Sequence, residues 1–124
     1  MKDNPKSIKI DNTEYVPKNS IKTKAEPKDG LDYCIVRTYS AGVFAGYYDR
    51  KNKGKEGTVY NARRLWYWSG ASSLSQLANE GVKNPDECKF PAEVNEIDLK
   101  EIVEVTPATE IAKQSIDNVE IWKQ

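Results

Sequence analysis

The sequence predicts an α+β fold: a small antiparallel β-sheet with two α-helices packed on it, plus an N-terminal β-hairpin extension. Three observations favour this class. β-rich runs fill residues 31–68, helical patterns follow only later, and Gly, Pro and Ser turns separate the elements. Strands that precede helices, instead of alternating with them, are typical of α+β domains. The 124 residues suit one domain with a single core.

Residues 1–30 are polar and lysine-rich and predict an extension ahead of the main domain. Within them, the run SIKIDNTEYV alternates isoleucine with lysine, passes through an Asp-Asn turn and returns as Tyr-Val, which predicts a β-hairpin. Residues 19–30 then have the composition of a linker. We therefore divide the chain into an extension at 1–30 and a main α+β domain at 31–124.

The main domain starts with strands. The run DYCIVRTYSAGVFAGYY predicts two strands joined by a small-residue turn, with Gly46 at a bend or a close backbone approach. The lysine-rich residues 51–57 predict a solvated hairpin loop. A third strand begins at residues 58–61, and residues 64–68 either continue it or form a fourth after a break near Ala62.

Helical patterns dominate the second half. Residues 72–79 predict a helix, since a serine cap precedes a leucine stripe and Gly81 supplies a stop signal. Residues 97–105 partly alternate and predict one strand. A second helix follows over residues 108–116, and the alternating residues 119–124 predict a short edge strand.

The formal net charge of zero hides an uneven distribution. Residues 31–68 hold seven basic and three acidic residues, whereas residues 69–124 hold five basic and eleven acidic ones. Because a long nucleic acid binds by neutralisation of many phosphates, the acidic C-terminal half argues against such a partner. A small anion held at one basic pocket is compatible with this pattern.

The sequence contains no histidine. Ser-His-Asp and Cys-His nucleophile systems and His-ligated zinc sites are therefore excluded. A series of carboxylates could serve acid–base chemistry or metal binding, but its spacing is more typical of a solvated face. Its members are Glu93, Glu96, Asp98, Glu101 and Glu104. We predict neither an enzyme nor a bound metal or cofactor.

A cytoplasmic location fits three features of the chain. No run approaches the ~18 apolar residues of a membrane span, and the N-terminal MKDNPKSIKI lacks the apolar stretch of a secretory signal. Cys34 and Cys88 lie far apart without metal-binding spacing, and we expect both to be reduced, buried thiols.

The stretch NARRLWYWSGASSLSQLA is the main candidate site. On a strand, Arg64, Trp66 and Trp68 would share one face by the two-residue period. The other face, with Leu65 and Tyr67, would then face the core. An arginine beside two indoles suits a nucleotide, because a guanidinium binds phosphate and an indole stacks on a base.

Two neighbouring segments would extend this site. Residues 69–73 are small and end at a helix N-terminus, whose N–H groups and partial positive charge suit phosphate. Residues 37–46 would add another guanidinium and a ring. The alternatives are ordinary helix capping, a closed hairpin and a surface cation–π contact. The predicted ligand-binding residues are Arg37, Tyr39, Ser40, Phe44, Arg64, Trp66, Trp68, Ser69, Gly70, Ala71 and Ser72.

The chain resembles a family of small phage and prophage proteins in three segments, YCIVRTYSAGVFAGYY, NARRLWYWSGASSLSQLA and GVKNPDECKF. This family includes the Thoeris anti-defence sponge proteins of the first type described, and the resemblance covers about residues 31–122. It implies a non-enzymatic protein that sequesters cyclic ADP-ribose isomers made by bacterial TIR-domain enzymes, or related cyclic oligonucleotides. It also implies a homo-oligomer, a dimer or higher, with ligand pockets at subunit contacts.

We therefore expect sequestration of a cyclic nucleotide signal in the cytoplasm of an infected or lysogenic bacterial cell. Two alternatives stay open. In one, the Trp-Tyr-Trp run is the interface hot spot of a protein-binding module. In the other, carboxylates make a small enzyme that acts on a nucleotide. Three Trp and seven Tyr are many for a small surface, which favours subunit contacts.

Overall fold

A computed structural model of the protein describes residues 23–123 and confirms the antiparallel sheet with two helices. The strands are β1 (Asp32–Thr38), β2 (Val43–Tyr48), β3 (Gly57–Arg64), β4 (Val94–Leu99) and β5 (Ile102–Pro107). The helices are α1 (Leu74–Glu80) and α2 (Glu110–Asp117), and a 3₁₀ turn at Pro85–Glu87 precedes β4. The hairpin predicted within residues 1–30 lies outside the described residues.

The sheet has the strand order β4-β3-β2-β1-β5, and every neighbouring pair is antiparallel. β4 and β5 lie at opposite edges, although only Lys100 and Glu101 separate them along the chain. A flat sheet of five strands would place its edges about 19 Å apart. The chain from Leu99 to Ile102 spans at most about 11 Å. The sheet is therefore rolled, so that its two edges approach each other at this turn.

The single strand predicted over residues 97–105 is wrong, because the β4–β5 turn interrupts it. At this turn Glu101 has a φ of 48°. Leu99 and Ile102, on either side, both belong to the cluster inside the rolled sheet. Because apolar residues occur on both sides of the turn, the alternating pattern does not show that the strand is interrupted there.

Two apolar clusters hold the fold together, one on each face of the sheet. The enclosed face contributes a cluster from all five strands, namely Cys34, Val36, Phe44, Tyr48, Val59, Ala62, Leu99 and Ile102. The other face packs against the helices. There, Tyr33, Ile35, Ala45 and Leu65 join Leu77 and Ala78 of α1 and Ala112 and Ile116 of α2. The helices cover one face, and the curvature of the sheet closes the other.

Both helices begin at a capping side chain. Ser73 caps α1 and Thr109 caps α2. Each hydroxyl accepts a hydrogen bond from the backbone N–H of the residue three positions later. Gly81, with a φ of 79°, ends α1 as predicted. The edge strand predicted at 119–124 is wrong: in the part that the structure describes, residue Ile121 makes only an isolated bridge with Phe90.

A β-bulge in β3 lies opposite Gly46. The pairing of β2 with β3 shifts between Ala45 and Tyr47, and Asn61 takes a φ of 51°. A Cβ atom at Gly46 would lie 2.5 Å from Val59 Cγ1, so the close backbone approach predicted at Gly46 is confirmed. The bulge changes the phase of β3 and thereby sets which later side chains face the helices.

The segment before β1 packs onto the domain where the structure describes it. Ala25 is fully buried in the helix-facing cluster, and its N–H donates to the carbonyl of Ala108 at 3.0 Å. Lys24 forms an ion pair with Asp32 at 3.2 Å. This part of the predicted linker is therefore attached to the domain.

The two cysteines are unpaired and buried, as predicted. They lie in different clusters, Cys34 inside the rolled sheet and Cys88 against the helices. Burial raises the pKa of the Cys34 thiol to about 12 and also raises the pKa of Cys88. Both groups are thus protonated at neutral pH. Within residues 23–123, no helix has the length and apolar character needed to cross a membrane.

Candidate functional site

The predicted ligand residues do not form one cluster. Arg37 follows Tyr33 and Ile35 on the helix-facing side of β1. Arg64 pairs with Phe44, whose side chain belongs to the enclosed face. The two guanidinium groups therefore lie on opposite faces of the sheet and do not share a pocket.

Arg64 covers the ring of Phe44. Its guanidinium carbon lies 4.5 Å from the ring centroid, and Nη1 donates to the carbonyl of Ala41 at 3.0 Å. Phe44 is only 1% exposed, so its ring offers no open face for a ligand base. The surface cation–π alternative accounts for these contacts.

The turn between β1 and β2 is tied to the β4–β5 turn. Ser40 Oγ donates to Glu101 Oε1 at 2.7 Å, and the N–H of Tyr39 donates to the Glu101 carbonyl at 2.9 Å. The Tyr39 ring itself is 80% exposed. Within the turn, the N–H and the hydroxyl of Thr38 both donate to the Gly42 carbonyl at 2.9 Å, which agrees with the second alternative for this segment, a closed hairpin.

The bend at residues 69–72 is fixed to the loop after α1. Ser69 Oγ donates to Glu87 Oε1 and accepts from Asn84 Nδ2, both at 3.0 Å. Gly70 has a φ of 97°, and its carbonyl accepts the N–H of Lys83. A Cβ atom at Gly70 would overlap the backbone nitrogen of Lys83, so glycine is required here by the loop itself.

The first turn of α1 is capped by its own side chains. Gln76 Oε1 accepts from both the N–H and the hydroxyl of Ser72, and the Gln76 N–H donates to Ser73 Oγ. The helix has only seven residues. Ordinary capping therefore accounts for the small residues before α1, and we do not propose a phosphate site at the N-terminus of this helix.

The aromatic run after Arg64 departs from the strand period, because β3 ends at that residue. Leu65 is buried as predicted, whereas Tyr67, also predicted for the core, is 51% exposed. Trp68 packs against the helix-facing cluster, and Trp66 is 58% exposed. Arg64, Trp66 and Trp68 thus do not share one face.

Trp66 and Tyr67 are part of an exposed aromatic surface with two residues that the sequence did not suggest, Lys89 and Trp122. We name these four residues the Trp66 patch. The indoles of Trp66 and Trp122 stack with centroids 5.1 Å apart and an interplanar angle of 13°. Lys89 Nζ lies 5.3, 5.8 and 6.0 Å from the ring centroids of Trp66, Trp122 and Tyr67. The patch therefore combines one cation with three rings.

Backbone contacts position the patch. The N–H of Lys89 donates to the Tyr67 carbonyl at 2.8 Å, and the N–H of Trp122 donates to the Phe90 carbonyl at 3.0 Å. The C-terminal segment thus runs beside residues 89–90. No local pattern links these distant segments, although Lys89 lies within GVKNPDECKF, one of the segments that carry the family resemblance.

Arg63 has a structural role that the sequence did not reveal. It is 6% exposed and donates to four backbone carbonyls, those of Pro91 at 3.0 Å, Phe90 at 3.1 Å, Ile116 at 2.7 Å and Val119 at 2.7 Å. Burial lowers its pKa, but a guanidinium stays protonated in proteins. The last turn of α2 supplies part of the negative potential that this buried cation needs.

A cleft of about 410 Å³ lies next to Arg63, between β2, β3, α2 and the C-terminal segment. Tyr33 and Tyr47 form one wall, with centroids 5.3 Å apart in an edge-to-face contact. Lys28 and Lys113 lie over these two rings, and the bulge residue Asn61 also lines the cleft. We name it the Tyr33 cleft. Its residues come from well-separated segments, so no local sequence motif predicts the cleft.

The acidic series does not build a metal centre. Among residues 23–123, no group of three or more His, Cys, Asp or Glu side chains is placed to hold a metal ion. Glu101 accepts from Ser40 and Asp98 accepts from Thr58, both at 2.7 Å. These carboxylates lie on strand edges and turns.

The fold and its surface define a small α+β domain with a rolled antiparallel sheet and an exposed lysine–aromatic patch. The chain belongs to the family described as Domain of unknown function (DUF6948), whose model matches residues 31–116, more than half of its length. A search of curated proteins found no match, and neither did a search of solved structures.

Proposed function

We propose that this protein is a non-enzymatic, cytoplasmic phage or prophage protein that binds and sequesters a cyclic nucleotide immune signal. The ligand class is a cyclic ADP-ribose isomer or a related cyclic oligonucleotide. The observation that carries the proposal is the Trp66 patch, in which Lys89 lies within 6.0 Å of three ring centroids. An adenine stacks on the exposed side of Trp66, and Lys89 neutralises a phosphate.

The chemistry of the patch suits both halves of such a ligand. Stacking of a base on an aromatic side chain contributes roughly 1–3 kcal/mol in single-strand binding proteins. Trp122 holds the Trp66 indole in place from the other side, so little rotamer entropy is lost when a base stacks. Lys89 has no carboxylate partner among the described residues, and its charge remains for the ligand.

A second copy of the chain would complete the site. One flat patch leaves the far side of a stacked base in water. Trp66, Tyr67 and the neighbouring Ile121 are each more than half exposed, and contiguous exposed apolar residues mark interaction surfaces. We therefore propose a homo-oligomer whose subunit contact covers the ligand.

The test is ligand uptake followed by heat release. The full chain is incubated with a set of cyclic ADP-ribose isomers, separated from free ligand, and heated, and the released compound is identified by chromatography. Intact ligand in the supernatant supports sequestration. An altered compound would instead support the enzyme alternative, and absence of uptake for every isomer and for cyclic oligonucleotides would contradict the proposal.

Matched variants locate the site. Trp66→Ala and Lys89→Gln should each lower uptake at least tenfold. Lys100→Gln, at an exposed lysine in the β4–β5 turn, should leave uptake unchanged. Arg64→Ala decides whether the guanidinium on the enclosed side also contributes, as the sequence predicted. Equal uptake by wild type and Trp66→Ala would show that the Trp66 patch does not bind the ligand.

The same patch also favours a second candidate function, a protein-binding module. Exposed tryptophan and tyrosine side chains are typical hot-spot residues. In that case, Trp66→Ala would abolish capture of a protein partner while no cyclic nucleotide is taken up. The uptake experiment therefore separates the two functions.

A further inference from the structure

We infer that the Tyr33 cleft is a second ligand site, independent of the Trp66 patch, that takes a small molecule through a carboxylate or phosphate group. Its volume of about 410 Å³ is within the range of small-molecule sites in proteins. This ligand goes beyond the proposed function. Three observations support it: a buried hydroxyl, a lysine without a carboxylate partner among the described residues, and an excess of cationic over acidic side chains in the lining.

The hydroxyl is that of Tyr33. This residue is 3% exposed and lines the cleft, and within residues 23–123 no hydrogen-bond partner reaches its Oη. Burial, followed by the nearby charge of Asp117, raises the pKa of Tyr33, so the phenol stays protonated. Buried hydroxyl groups in proteins are normally hydrogen-bonded. Tyr33 is therefore a buried donor that lines the cleft and has no acceptor among the described residues.

The lysine is Lys28. Its Nζ lies 5.6 Å from the Tyr47 centroid and donates to Asn61 Oδ1 at 3.1 Å, which is a neutral acceptor. No carboxylate of the described residues lies within ion-pair distance of Lys28. The amide of Asn61 is held by the bulge in β3, which turns this side chain into the cleft.

Of the other charged groups of the cleft, Lys113, Asp117 and Arg63 have charged or multiple partners, whereas Glu93, like Lys28, has only the neutral Asn61 amide as a hydrogen-bond partner among the described residues. Lys113 pairs with Asp117 at 2.7 Å, and Glu93 Oε2 accepts from Asn61 Nδ2 at 3.1 Å. The guanidinium of Arg63 donates to backbone carbonyls. What remains for a ligand is a pair of donors, the Tyr33 hydroxyl and the Lys28 ammonium. Three cations, Lys28, Arg63 and Lys113, and two carboxylates, Glu93 and Asp117, line the cleft, so its net charge together with this pair of donors favours an oxyanion.

The cleft does not duplicate the Trp66 patch. Tyr33 and Tyr47 stand edge to face at 74°, and an ammonium group lies over each ring. Tyr33 is only 3% exposed, whereas Trp66 is 58% exposed, so the Tyr33 ring does not present an open face on which a base could stack. The ligand of the cleft is recognised by hydrogen bonds and charge, and its anionic group is the part that the cleft selects.

The experiment is a two-dimensional NMR titration of the full chain with sodium phosphate and, separately, with sodium acetate, at constant ionic strength. We expect saturable shifts of the Tyr33, Asn61 and Lys113 amides with at least one probe. Saturation by phosphate alone assigns a phosphate ligand, by acetate alone a carboxylate ligand, and by both the shared oxyanion chemistry. Linear, unsaturated shifts with both probes would overturn the inference.

Variants distinguish this site from general charge effects. Tyr33→Phe should weaken the binding of the saturating probe at least fivefold and Lys28→Gln at least threefold, whereas Lys100→Gln and Trp66→Ala should change it less than twofold. Loss of probe binding in Trp66→Ala would contradict the independence of the two sites. This result is separate from cyclic nucleotide uptake, so either proposal can fail alone.

A thermal readout separates a ligand role of Tyr33 from a structural one. Because its hydroxyl has no partner in the described part of the chain, Tyr33→Phe should keep or raise the Tm of the free protein. The saturating probe should raise the Tm of wild type but not of Tyr33→Phe. A marked fall in Tm for Tyr33→Phe without any probe would show that the hydroxyl is structural, and would overturn the inference.

Discussion

At the scale of single residues, the neighbours Arg63 and Arg64 have opposite roles. Arg63 is a buried cation that lacks a carboxylate partner among the described residues and is held by four backbone carbonyls. Arg64 lies over Phe44 and makes one hydrogen bond, to the carbonyl of Ala41. Arg63 thus joins β3 to the end of α2 and to the C-terminal segment.

Replacement of Arg63 should be far more costly than replacement of Arg64. Arg63→Ala removes four hydrogen bonds and leaves the carbonyls of Pro91 and Val119 without a donor among the described residues, and we expect the free energy of unfolding to fall by about 3 kcal/mol. Arg64→Ala, the matched control, should cost less than about 1 kcal/mol because its site is exposed. Urea denaturation followed by circular dichroism measures both. Similar losses for the two variants would contradict the role assigned to Arg63.

The residue scale also shows what the sequence could not predict. Alternation places Arg63 on the same face as the predicted core residue Leu65, but no local pattern indicates the carbonyls, from residues 90, 91, 116 and 119, that accept from its guanidinium. Leu65 was predictable as core because it is apolar and lies on the same face as Arg63. Tyr67 was not, because the strand ends before it and the two-residue period no longer applies.

At the scale of the elements, the pairing of β2 with β3 depends on Gly46. The two strands approach so closely at the bulge that a Cβ atom would contact Val59 and the backbone of β3. The sequence indicated this, since a glycine inside an apolar strand is typical of a bulge or close approach. The strand–turn pattern of residues 31–64 and both helices were predictable for similar local reasons.

Gly46→Ala tests this contact. The added methyl group overlaps Val59 Cγ1 and the Tyr60 carbonyl, and we expect a loss of about 1–3 kcal/mol in unfolding free energy. Gly54→Ala is the control, because a Cβ there would meet only Asn52 Oδ1 at 3.4 Å. The control should stay within about 0.5 kcal/mol of wild type. Thermal and urea unfolding of the three proteins compare them, and a neutral Gly46→Ala would refute the close approach.

At the scale of the whole molecule, the rolled sheet separates two clusters and brings distant segments together. The division of residues 97–105 into two strands at opposite edges depends on pairings with β1 and β3, which are not local. The Trp66 patch likewise depends on Lys89 and Trp122, from other parts of the chain. The sequence identified Trp66 as a candidate, but its partners required the fold.

Buried titratable side chains on both faces of the sheet should make the free energy of unfolding depend on pH in the alkaline range. Burial raises the pKa of Cys34 from an ordinary 9.0 to about 12, and burial likewise raises the pKa of Tyr33. A raised pKa means that the unfolded chain loses its proton first. The stability due to Cys34 is therefore complete below pH 9 and falls as the pH rises from about 9 towards 12.

Urea denaturation at several pH values between 8 and 11 measures this dependence. Above pH 9, Cys34 should contribute up to about 1.4 kcal/mol of lost stability per pH unit. Cys34→Val removes that contribution, so its unfolding free energy should fall less steeply than that of wild type. Parallel curves for the two proteins would show that the thiol does not titrate differently in the folded state.

The central claim is that the protein holds a cyclic nucleotide at the Trp66 patch. The most direct measurement is a titration of tryptophan fluorescence with cyclic ADP-ribose isomers, since a base stacked on Trp66 quenches an exposed indole. We predict saturable quenching by at least one isomer, retained in Trp68→Phe and lost in Trp66→Ala. No saturable quenching by any isomer, or the same quenching in Trp66→Ala as in wild type, would contradict the claim.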